Sequence, residues 1–177
     1  MKNIFVFLLF VMSYFTTQAQ EVNNFKPLEL TEEGKFISTT IHQAPDRTKD
    51  QIYVVIKRWM VDIFKDAKRV IELDDREGGY IVANTWLPSS RKVLGQTFAE
   101  EIWFTLKVSI KEGRYKIDMT DFKRLPDEYY GGNVERYTHK QWVKNDGSLR
   151  KVAKEVHTQL VEAVNTINNS VDDAFIK

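Results

Sequence analysis

Histidine, the commonest acid–base and metal-binding side chain, stands at three positions: His42, His139 and His157. None has another histidine at metal-ligand spacing, and all three read as polar side chains facing water. The chain has no cysteine, which excludes disulfides, thiolate nucleophiles and thiolate metal sites. Glu100 and Glu101 are neighbours in an extended segment, so they point to opposite faces and cannot form a close acid–base pair. Asp74, Asp75 and Glu77 crowd into one short stretch with Gly78 and Gly79. A calcium loop needs a longer and denser run of oxygens, so these residues read as turn formers. Ser89 and Ser90 follow Pro88 without the glycines of a nucleophile elbow. The Gly78–Gly79 and Gly131–Gly132 pairs lack the lysine and the strand-to-helix setting of a phosphate loop. The expectation is therefore no catalytic residue, no metal and no cofactor, with a hydrolytic enzyme the least supported reading.

The remaining candidates are aromatic and depend on the elements that carry them. Residues 34–42, rich in β-branched and aromatic types, predict a first strand, ended by Ala44, Pro45 and Asp46. Thr48 with Gln51 makes a capping box. Ile52, Val55, Ile56, Trp59, Ile63 and Phe64 then recur at helical spacing, predicting a helix over about 49–66. Short strands over 69–73 and 80–87 flank a glycine hairpin. Residues 88–96 read as a polar connection, 98–110 as a long alternating strand, and 114–122 as its return. Residues 123–147 have no period. Ser148 caps a closing helix over 148–171, marked by Leu149, Val152, Val156, Leu160, Val164 or Ala163, Ile167 and Val171. An antiparallel sheet with one face under two apolar helix stripes makes a complete core. The fold class is α+β, with a curved antiparallel sheet in β-α-β-β-β-β-α order and both helices on one face.

Trp59, Phe64, Val70, Ile71, Asp74–Asp75, Gly79 and Ile81 occur in an order that resembles the exported bacterial family catalogued as domain of unknown function 4468. The resemblance covers about residues 31–122 and is carried by core and turn residues. It implies a TATA-box-binding-protein-like fold and brings no activity, substrate or catalytic residue. The fold name carries no DNA binding with it, and a net charge of +1 offers no electrostatic footprint for nucleic acid.

Residues 1–19 have the three parts of a secretory signal peptide. Lys2 comes first, then an apolar run over 4–15, then Thr17, Gln18 and Ala19 before cleavage. The run is shorter than the about 20 residues a spanning helix needs. The expected product starts at Gln20, has an irregular lead-in over 20–30 and a single domain over 31–177, and keeps no stable membrane anchor. Its expected place is the periplasm, the cell surface or the medium.

On the long strand Ile102, Phe104, Leu106, Val108 and Ile110 share the helix-covered face. Trp103 is left on the opposite face. With Ile81, Ala83 and Leu87 inward, Tyr80, Val82 and Trp86 join Trp103 outside. Phe122 shares parity with Lys116, Asp118 and Thr120 and is placed with them. Two readings of this face stay open. It binds a hydrophobic ligand or an envelope protein, or the 123–147 loop covers it with Tyr129, Tyr130, Tyr137 and Trp142. A structural role in an envelope assembly is the alternative to a binding module.

Overall fold

The computed structural model describes residues 28–31, 35–64, 67–126, 135–136, 144 and 150–176. The elements run β1 (Glu29–Leu30), β2 (Phe36–Gln43), α1 (Lys49–Ile63), α2 (Ala67–Val70), β3 (Ile71–Asp75), β4 (Tyr80–Val93), β5 (Gln96–Lys111), β6 (Arg114–Pro126), β7 (Glu135–Arg136) and α3 (Lys151–Ile176). The strands form one antiparallel sheet in the order β1-β2-β6-β5-β4-β3, with β7 beside the far end of β6. The sheet is open, and α1 and α3 pack on one face, so the fold is α+β. The expected signal peptide, Ser148 and most of the 123–147 loop lie outside the described residues.

Helix α1 starts where the capping box predicts. The Gln51 N–H donates to Thr48 Oγ1, and the Thr48 N–H donates to Gln51 Oε1 at 2.9 Å. Glu112, in the β5–β6 turn, accepts from the Lys49 N–H at 2.9 Å and fixes the helix start against the sheet. Ile52, Tyr53, Ile56, Trp59 and Met60 are buried. The helix stops at Ile63, short of the expected end, because Phe64 leaves it in extended conformation and packs edge-on to Trp59. A short helix then occupies 67–70, where a strand was expected to begin. In α3 the buried residues Val156, Leu160, Val164, Ile167 and Val171 follow the predicted stripe, and the helix continues to Ile176. The Trp59 indole N–H donates to Ser170 Oγ at 3.0 Å, joining the two helices.

Residues 88–96 are not a connection. β4 runs through Pro88 to Val93 and turns at Leu94 and Gly95, both with positive φ, as a two-residue hairpin requires. Proline ends a strand only where its missing N–H belongs to the ladder; at Pro88 that position faces the other edge. The hairpin between β3 and β4 needs its glycine. Gly79 has φ +76°, and a Cβ there would lie 2.6 Å from the Ile110 carbonyl oxygen.

Phe122 is in the core, 4% exposed, and not on the helix-free face. The cause is one extra residue in β6. Thr105 pairs with Thr120 but Trp103 pairs with Lys123, so Asp121 and Phe122 together oppose Phe104. Asp121 takes φ +52° to form this bulge. Inward side chains are odd-numbered up to Met119 and even-numbered from Phe122, which packs against Phe104 with ring centroids 6.1 Å apart. Phe122→Ala should lose about 3–5 kcal/mol of stability. Trp86→Ala, on the other face, should lose far less, with urea denaturation of both variants as the measurement.

Asp74 is more than a turn former. Its carboxylate accepts hydrogen bonds from Tyr53 and Lys57 of α1 and so ties helix to hairpin. Burial pushes this carboxyl up, but the bonds from Lys57 and Tyr53 outweigh it and hold it below the usual range. Burial, then the bond to Asp74, pushes the Tyr53 phenol up to about 12. The Asp74 contribution is therefore present above pH about 4 and fades as pH falls through the lowered value. The Tyr53 contribution is present below pH about 10 and fades as pH rises through its raised value. Asp74→Asn should lower stability at pH 7 and match the parent near pH 2. It should also bring the Tyr53 absorbance titration down towards its ordinary midpoint.

Candidate functional site

Five strands build the helix-free face in lateral rows. Tyr80, Ser109, Lys116 and Ile41 make one row, and Leu73, Val82, Lys107, Asp118 and Thr39 the next. Asn84, Thr105 and Thr120 follow, then Trp86, Trp103 and Lys123. Most polar groups here satisfy one another. Thr39 donates to Asp118 at 2.8 Å, Lys116 pairs with Asp118 at 2.7 Å, and Thr105 donates to Asn84 at 2.7 Å. Asn84 in turn donates to Glu72.

The aromatic candidates lie within this polar mesh. Tyr80 is 40% exposed, with the Lys107 ammonium 5.3 Å from its ring centroid, within cation–π range. Val82 is half-buried beside Lys107 and Leu73. Trp86 is 40% exposed and sits directly across from Trp103, with ring centroids 6.4 Å apart. The Trp103 indole N–H donates to Glu101 Oε2 at 2.7 Å, so this half-buried ring is held from below. The sheet thus brings Trp86 and Trp103 together, keeps Tyr80 and Val82 three and two rows away, and takes Phe122 to the other side. Ile41, exposed on β2, belongs to the same face and was missed, because the reading followed β4 to β6 alone. Tyr129, Tyr130, Tyr137 and Trp142 lie outside the described residues. Of their loop, Glu135 and Arg136 pair with Arg124 and Lys123.

The helix-covered face holds two polar clusters that residue spacing did not reveal. His42 is buried and does not face water as its sequence setting suggested. Its ring nitrogens lie 2.8 Å from Asp172 Oδ1 and 2.9 Å from Asn168 Oδ1, both on α3. The ring stacks on Tyr115, which stacks on Phe175, and Arg47 closes the column with a bond to the Phe175 carbonyl at 3.1 Å. Burial, with the Asp172 charge beside it, pushes the Tyr115 phenol well above its ordinary value. His157 is half-buried, edge-on to Phe36, and His139 lies outside the described residues.

The second cluster centres on Glu100, whose side chain is 1% exposed. Arg91 Nε lies 2.9 Å from its Oε1, within ion-pair range but out of line, so neither atom has a hydrogen bond. Arg124 Nε is 3.8 Å from Oε2. Gln159 of α3 donates its amide to the Ser90 carbonyl at 2.7 Å and leaves its Oε1, also buried, without a donor. A buried acceptor left so costs about 1–3 kcal/mol. Alongside lies a cleft of about 540 Å³ between β4 and α3, lined by Leu87, Pro88, Ser89, Ser90, Gln159 and Ala163 among others. The bulge brought Arg124 here, and the side-chain alternation alone would have sent it outward. Among the described residues no three carboxylate or imidazole groups gather as a metal site.

Comparison with known proteins bears on the fold and the family. No curated protein matches the chain. A crystal structure of a DUF4468 family protein from Bacteroides ovatus is similar at TM-score 0.64 and 19% identity, over 84% of this chain and 90% of that one. A TBP-like protein from Parabacteroides distasonis is similar at TM-score 0.63 and 17% identity, over 83% of this chain and 96% of that one. At such identities the likeness shows the fold alone. The family model described as a domain of unknown function (DUF4468) with TBP-like fold matches residues 39–124, from β2 through the end of the bulged half of β6. Those residues match the DUF4468 family, and the chain has the TBP-like fold.

Proposed function

We propose that the chain is an exported, non-enzymatic binding module that grips a protein partner or a hydrophobic ligand on its helix-free face. The observation that carries this is the Trp86–Trp103 pair. Two large rings meet on a face without a helix, and one of them is 40% exposed. Burying such a ring against a partner is worth about 1.5–3 kcal/mol, and tryptophan is enriched among the residues that carry most of the binding energy of recognition surfaces. The polar mesh around them is already internally bonded, so a partner covering this face meets few unsatisfied groups. The Glu101 bond to Trp103 fixes that indole in advance, which lowers the ordering cost of binding.

The purified chain should enhance the fluorescence of a hydrophobic naphthalene sulfonate dye, and envelope extract should yield a saturable, reproducible partner. Trp86→Ala/Trp103→Ala should lose both at least tenfold while melting within a few degrees of the parent. Undiminished binding by the double variant would count against this face. Export carries its own test: in the native cell the chain should be recovered outside the cytoplasm, with Gln20 at its N-terminus. Recovery from the cytoplasm with Met1 retained would overturn it.

A further inference from the structure

Strand β4 has one edge that the sheet does not use. The Ile110 N–H donates to the Gly79 carbonyl at 2.8 Å. In an antiparallel ladder the bonded pairs alternate, so the odd-numbered residues of β4 bond to β5 and the even-numbered ones turn their backbone groups to the opposite edge. As far as Ala83, that edge is taken by β3. Beyond it, among the described residues, no strand takes it. The Gln159 amide bond to the Ser90 carbonyl independently fixes this direction. The N–H and C=O of Trp86 and Lys92, the N–H of Ser90 and the C=O of Pro88 are left facing outward. Those of Pro88 and Ser90 border the cleft of about 540 Å³, whose other wall is the Gln159, Glu162, Ala163 and Thr166 side of α3, and those of Trp86 and Lys92 flank it along the strand. Four successive residues of β4, Leu87 to Ser90, line it, so the cleft lies along the strand edge and not over one face.

We infer that this edge takes an extended peptide segment of a partner protein as an added strand, lying between β4 and α3. Main-chain bonds to Trp86, Pro88, Ser90 and Lys92 supply affinity, and alternate side chains enter the cleft. Its walls at Leu87, Ile102 and Ala163 suit small apolar side chains. The buried Gln159 Oε1 still wants a donor. Lys92 is exposed, and it forms no ion pair among the described residues, which favours an acidic residue at that end of the peptide. A second copy of this chain is the poorer occupant. Pairing β4 with itself about Pro88 would set two residues without N–H face to face, as protected edges do.

The test selects linear heptapeptides from a phage-displayed library on the purified chain and follows backbone amide exchange by NMR. The expected result is binding of extended peptides with small apolar residues at alternate positions. Binding should slow exchange at Trp86, Ser90 and Lys92, while the odd-numbered amides are protected from the start. Ser90→Pro removes an outward N–H and leaves the β4–β5 ladder intact, so it should bind at least tenfold more weakly with an unchanged melting temperature. N-methylation along the peptide, which leaves the protein untouched, should abolish binding at alternate positions only. The inference is overturned if no linear peptide is selected or if bound peptides leave those three amides exchanging as before. It is also overturned if the amides become protected with rising protein concentration alone, since the occupant is then a second copy.

Discussion

Strand β5 is bonded along both edges, to β4 from Gln96 to Ser109 and to β6 from Glu100 to Lys111. A strand held on both sides cannot slip, because a shift of one residue would turn Phe104, Leu106 and Val108 out to water and Lys107 and Glu101 into the core. Everything else takes its orientation from this strand. β4 inherits its alternation without interruption, so Ile81 and Ala83 lie under the helices and Trp86 does not. β6 inherits it only as far as Thr120. There the extra residue reverses the pattern, and the left-handed conformation of Asp121 is the local cost of that reversal.

The bulge has a clear consequence for electrostatics. It puts both Phe122 and Arg124 on the inner face, and Arg124 lies near Glu100, whose charge is otherwise met, among the described residues, by Arg91 and Gln159. An ionised carboxylate this deep is tolerable only with opposite charge close by. Without the bulge, Lys123 and Leu125 would share that face and the guanidinium would point to solvent. The same inserted residue therefore fills the core beside Phe104 and supplies a cation to the sheet's far end. That end is held by polar contacts to α3, whereas the middle of the sheet is held by aliphatic packing.

The sequence was legible wherever one local rule decided the structure. The periods of α1 and α3, the Thr48 capping box and the strict alternation of β5 each needed only neighbours in the chain. Phe122 was misplaced because alternation was carried past Asp121, and aspartate in a left-handed conformation leaves no distinct mark in residue types. Pro88 was read as a breaker because its harmlessness depends on which edge its nitrogen faces, a property of strand pairing. His42 was read as an ordinary surface group and the charge cluster at Glu100 was not foreseen, since their partners Asp172, Asn168, Arg124 and Gln159 lie far along the chain. Trp86 and Trp103 were recognised as outward-facing, yet their meeting across one pair of the ladder follows from a two-residue turn at Leu94–Gly95 that residue types disguise. Leucine is a poor choice for positive φ, and it hid the hairpin.

The two exposed features of β4, its indole and its unused edge, have a common origin. β3 is only five residues long and leaves the strand after Ala83, while β4 continues to Val93. A longer β3 would cover the edge and place side chains beside Trp86, and both surfaces would disappear together. A long bare edge invites aggregation unless something blunts it. Here Pro88 interrupts the row of donors, Arg91 and Lys92 charge its end, and Gln159 occupies the Ser90 carbonyl. These devices discourage pairing along the whole edge with an identical strand but leave a few outward groups beside a helix-walled cleft. Such a surface discriminates by length and side-chain size, which a short extended segment satisfies and a full sheet edge does not.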